Sequence, residues 1–150
     1  MTFVVPFDGS AYAEAALVRA REFAPAVDES VQAVTIIPRD NARYARERGW
    51  LGPDEPFDTD GIVDGLAEQV HEIAPLASFH HERCTREVSG NTIARPVRKF
   101  ARREGATVVF IGSDSAGRLT RRLGSVGERV SADVAYDVVI VRRLPDSVAQ

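Results

Sequence analysis

Residues 107–130 read TVVFIGSDSAGRLTRRLGSVGERV. A β-branched and aromatic run, Thr107 to Gly112, gives way to a loop carrying Gly117, Arg118, Arg121 and Arg122, and Gly124-Ser125 then opens an amphipathic segment. Strand, loop and helix start in that order form part of a β-α-β unit. The same order suits an anion: free N–H groups and the helix dipole supply positive charge at the helix start, and the arginines lie in the loop before it. Two other readings fit the same residues. Ser125-Val126-Gly127-Glu128 has capping-box spacing, so Ser125 can simply cap the helix, and the arginines can form a solvated loop face.

Upstream, Thr2 to Pro6 is a short strand ended by proline, and Asp8-Gly9-Ser10 supplies turn and cap residues. Ala13, Ala16, Leu17, Ala20 and Ala24 then recur at helical spacing until Pro25. Val31 to Ile37 is a second strand whose continuous apolar run fits burial on both faces of a parallel sheet. From Pro38 to Phe57 the pattern breaks. Asp40 to Arg48 predicts a short surface helix, and Gly49, Gly52, Pro53 and Pro56 predict an irregular connection, read as solvated in preference to a lid. Ile62, Leu66, Gln69, Val70 and Ile73 mark one face of a further helix, stopped by Pro75. Ala77 to Cys84 is a more polar strand suited to a sheet edge.

Asn91 to Glu104 predicts a helix with Ile93, Val97, Phe100 and Ala101 inward, Arg95, Arg98, Arg102 and Arg103 mostly outward, and Pro96 within its first turn. Ser125 to Ala135 predicts the last helix and Asp137 to Arg142 the fifth strand. Strands and helices thus alternate through the chain, which predicts an α/β fold: a single doubly wound, mostly parallel sheet with right-handed crossovers. Ligands in such sheets sit beyond the carboxyl ends of the strands where strand order reverses. The segments after the first and fourth strands, PFDGS and GSDSAGRLTRRLGSV, are therefore the candidate site. Asp8 can accept hydrogen bonds from a ribose or an adenine amine there, although an Asp-Gly-Ser turn needs no ligand to explain it.

Composition narrows the classes. With 150 residues, 44% hydrophobic and 27% charged, the chain fits one soluble globular domain over 1–150, with 38–57 a flexible loop region and 144–150 a tail. No apolar run reaches the roughly 18 residues of a membrane span, and MTFVVPFDGS lacks the features of a secretory leader. A cytoplasmic protein is expected. A formal charge of −3 gives no general attraction to nucleic acid or to an anionic membrane. Cys84 is alone, which excludes an intrachain disulfide, and it reads as a buried strand-end thiol. His80 and His81 point to opposite faces of a strand, poor geometry for a shared metal. The chain has no G-x4-G-K-[ST] motif, no G-x-G-x-x-G after the first strand and no G-x-S-x-G elbow.

VPFDGS at 5–10 before an Ala-rich helix, Val88 to Gly90 leading to the third principal helix, and IGSDSAGRLTRRLGSVGERVSADVAYDVVIVR at 111–142 resemble the universal stress protein family. The resemblance implies a Rossmann-like five-stranded sheet of order 3-2-1-4-5. It also implies a homodimer paired through the last strand, Val138 to Val141. In the branch of the family that binds ATP, the implied roles place Asp8 on ribose or adenine and Pro6 and Ile36 beside the base. Gly112, Gly124, Ser125 and Val126 would line the phosphates. This chain departs from that branch's G-x2-G-x9-G-[ST] pattern. Ser115 stands at the second glycine, with Gly117 nearby as partial compensation, and the interval from Gly112 to Gly124 is one residue short. A side chain forced into a left-handed conformation costs roughly 1 kcal/mol or more. The expected ligand is ATP or AMP, with or without Mg²⁺; slow ATP hydrolysis would need a bound metal, which Asp8 or Asp114 could help hold through water. A ligand-free dimeric protein with a degenerate phosphate loop, or a slow ATP hydrolase, are the alternatives. No residue pairs an activated nucleophile with a base, so no catalytic role is assigned.

Overall fold

The structure is a computed structural model and describes residues 2–89, 91–114 and 135–144. The elements run β1 (Thr2–Pro6), α1 (Ala11–Phe23), a 3-10 turn (Ala24–Val27), β2 (Ser30–Pro38), α2 (Ala42–Glu47), α3 (Thr59–Ile73), β3 (Ser78–Cys84), α4 (Ala94–Arg103), β4 (Ala106–Gly112) and β5 (Asp137–Val141). The five strands are all parallel and lie in the order β3-β2-β1-β4-β5. The fold matches the sequence expectation. The helix expected over Ser125 to Ala135 lies outside the described residues except at Ala135.

The order dictates where the helices go. Right-handed crossovers place α1 and α3, which step from β1 outward to β3, on one face, and α4, which returns toward β4, on the other. The strands alternate accordingly. Phe3, Val5, Ala33, Ile37 and Phe110 join the α1/α3 core, whereas Val4, Val34, Ile36, Val109 and Ile111 join the α4 core. The central strands are therefore apolar on both faces. β3 is polar and half-exposed because it is an edge, and Glu82 on it accepts from Arg103 Nη2 of α4 at 2.7 Å.

Two expectations are corrected. Arg98 does not point outward; it is 6% exposed. Ala94, Arg98 and Ala101 share a helical face, and that face is buried along with Val97 and Phe100. The connection from 38 to 57 is not merely solvated. Its α2 and the turn after it bury Ala45 and Leu51 in the α1/α3 core, with Ala42, Trp50 and Phe57 packed against it. Pro96 falls at the third residue of α4, within the first turn, where its missing N–H costs nothing. Cys84 is half-buried at the end of β3, and burial raises its thiol pKa above the usual value.

Candidate functional site

The chain leaves β1 still bound to β2. Phe7 N donates to Val34 O at 2.8 Å, and the buried Thr35 hydroxyl donates to Phe7 O. The backbone then swerves at Asp8-Gly9. Asp8 Oδ1 accepts from Ser10 N at 3.0 Å, and Ser10 Oγ in turn accepts from Ala13 N at 3.2 Å, capping α1. Gly9 adopts φ +83°, a conformation open to glycine, and an added Cβ would lie 3.1 Å from Gln69 Oε1. Two side chains from distant elements clamp this turn. Trp50 Nε1 donates to Asp8 O at 2.8 Å, and Gln69 Nε2 donates to Gly9 O at 3.2 Å and to Glu14 Oε1 at 3.1 Å.

Across the switch point, β4 ends at the buried Gly112. An added Cβ there would meet Tyr12 Cβ at 2.6 Å and the Tyr12 backbone at 2.9 Å. Close packing of β4 against the start of α1 thus demands glycine at 112, with or without a ligand. Asp114 follows, exposed, at the mouth.

Between these ends lies a cleft open to solvent. The cleft brings together four of the residues singled out by sequence, Pro6, Asp8, Ile36 and Gly112. Val34, Ile93, Ala94, Val97 and Ile111 give it apolar walls from β2, α4 and β4. Gly117, Gly124, Ser125 and Val126 lie outside the described residues. Among the described residues no group of three or more His, Cys, Asp or Glu side chains is arranged to hold a metal.

Sequence reasoning missed the contribution of α2. Tyr44 and Arg48 line the cleft, and the Arg48 guanidinium carbon lies 3.8 Å from the Tyr44 ring centroid. Arg48 Nε stands 3.9 Å from Asp8 Oδ2, an ion pair with both side chains partly exposed. Trp50 meets Tyr44 edge-on at 5.6 Å. A circuit therefore runs from the Asp8 carbonyl through Trp50, Tyr44 and Arg48 back to the Asp8 carboxylate. One signal was readable: the chain's single tryptophan sits in a Gly- and Pro-rich connection, and so large a ring is rarely left without a packing role.

The sequence model of the universal stress protein family matches residues 1–142. No curated protein sequence matches the chain. Among solved structures, a universal stress protein in complex with cAMP is 20% identical, with a TM-score of 0.53 over 94% of this chain and 96% of that one. The universal stress protein from Archaeoglobus fulgidus in complex with dAMP is 21% identical, with a TM-score of 0.54 over 93% and 96%. A universal stress protein family member from Burkholderia pseudomallei is 18% identical, with a TM-score of 0.54 over 93% and 94%. At such identities the structural likeness establishes the fold.

Proposed function

The chain belongs to the universal stress protein family, and from that premise we propose that it binds an adenine nucleotide, ATP or AMP, in the cleft between the ends of β1, β2 and β4. One observation carries the reading: the cleft lies at the point where strand order reverses and gathers Pro6, Asp8, Ile36 and Gly112 from three strand ends. An apolar slot with a carboxylate at one edge is chemically suited to a purine nucleoside. Ile36 and Pro6 would border the base, and Asp8 Oδ2, the oxygen not taken by Ser10 N, would accept from a ribose hydroxyl or the adenine amine. Gly112 leads toward Gly124, Ser125 and Val126, the proposed phosphate contacts, with Gly117 between them. The solved relatives described with cAMP and dAMP add support for this ligand class.

The protein is proposed to act as a regulatory module of the stress response, as a cytoplasmic homodimer. Among the described residues β5 is a sheet edge, and Ile140 on it and Phe23 beside it are 42% and 46% exposed, so Val138 to Val141 offers backbone unpaired among the described residues, and apolar surface, to a second copy. No helix among the described residues is long and apolar enough to cross a membrane. A second reading, a dimeric protein without a nucleotide, draws on Gly112: packing against Tyr12 accounts for that glycine by itself.

Calorimetric titration with ATP and AMP, each with and without Mg²⁺, separates the two. Nucleotide binding predicts saturable heat that Asp8→Ala abolishes. The absence of both heat and thermal stabilisation at millimolar nucleotide would contradict it.

A further inference from the structure

Arg48 is held in an unusual way for a half-buried cation. Its Nε is buried without a hydrogen-bond acceptor among the described residues, and Asp8 Oδ2 at 3.9 Å is too far to be one. What fixes the group is the face of Tyr44, 3.8 Å below the guanidinium carbon. At that distance the guanidinium is in direct cation–π contact with the ring. Tyr44 is itself buttressed edge-on by Trp50, and Trp50 is pinned to the Asp8 carbonyl. The result is a layered wall on the α2 side of a cleft that Val34, Ile36, Ile93, Val97 and Ile111 line elsewhere with aliphatic surface.

A flat, weakly hydrated cation backed by an aromatic ring is a stacking surface for another π-system. We infer that Arg48 is a specificity-determining residue of the cleft: with Tyr44 behind it, it forms a stacking wall that selects a purine base over a pyrimidine. The inference rests on the nucleotide reading above and narrows it. The plane of Arg48, and not merely its positive charge, provides the selectivity, because the larger, more polarisable purine ring stacks more strongly on it than a pyrimidine does. Arg48 is not needed to hold the cleft together. Ala45, Leu51 and the Trp50 hydrogen bond dock this segment independently of it.

The test is calorimetric titration of the full chain with AMP and UMP, in wild type and in Arg48→Lys, which keeps the charge and removes the plane. Wild type should bind AMP about tenfold or more tighter than UMP, and the lysine variant should lose about tenfold on AMP while changing UMP by less than about twofold. Unchanged AMP affinity in the variant overturns the inference and leaves nucleotide binding intact, as does an equal loss on both nucleotides. Failure of wild type to bind either one overturns the nucleotide reading and this inference with it. A second measurement needs no variant. In the AMP complex, the adenine ring protons should show nuclear Overhauser contacts to the Arg48 δ-methylene, and their absence in a saturated complex overturns the stacking wall.

Discussion

The two banks of the cleft are built on different physics. On the β4 bank, Gly112 is locked by sterics: a strand end and a helix start approach so closely that a single methyl has no room. On the β1 bank, Asp8 is held by polar contacts from its own turn and from the α2 segment, none of which is fixed by volume alone. The lesson is that the glycine, which looks like a ligand-binding feature, has a sufficient explanation in packing. The aspartate, which looks like a turn residue, is surrounded by more machinery than a turn requires.

If the β4 bank is steric, Gly112→Ala should be the most damaging change, lowering stability by about 3 kcal/mol as overpacking against backbone does. Urea unfolding measures it, and a loss under about 0.5 kcal/mol, the range of an ordinary surface substitution, would show that the strand end can move. Gly9→Ala should cost about 1–2 kcal/mol in the same assay, because it forces a side chain to φ +83° against Gln69. Trp50→Phe keeps a six-membered aromatic ring but removes the donor to Asp8 O and part of the packed indole, so it should cost about 1 kcal/mol, the scale of one lost hydrogen bond. Asp8→Asn should be the mildest for the fold, within about 0.5 kcal/mol. An amide oxygen still accepts from Ser10 N, and a partly exposed ion pair with Arg48 contributes little. The same variant should nonetheless weaken AMP binding about tenfold, the loss expected of a charge-assisted hydrogen bond. A large stability loss with unchanged affinity would make Asp8 a turn residue after all.

That contrast also explains what the sequence could reveal. The parallel sheet and its alternation with helices were legible because Val4, Val5, Val34, Ile36 and Val109 carry burial on both faces in their own patterning, and because Pro6, Pro25 and Pro75 punctuate the chain; the strand order itself came from the family resemblance. The β1 and β4 ends were legible for the same reason, since topology brings Asp8 and Gly112 together once the strands are placed. Arg48, Tyr44 and Trp50 were not. They reach the cleft by tertiary packing of a Gly- and Pro-rich connection, and local periodicity carries no record of where such a segment docks. Arg98 misled for a related reason. A guanidinium on a helix reads as solvent-facing, yet its position between Ala94 and Ala101 places its stem on the buried face.

The central claim is that an adenine nucleotide sits between the two banks. Backbone amide chemical-shift mapping of the ¹⁵N-labelled protein during titration with AMP tests it most directly. The account predicts saturable shifts concentrated at Asp8, Ile36, Arg48 and Gly112, together with the Trp50 indole N–H, and little change along Ser78 to Cys84 at the far edge. Shifts confined to the β5 edge, or none at millimolar AMP, would contradict it.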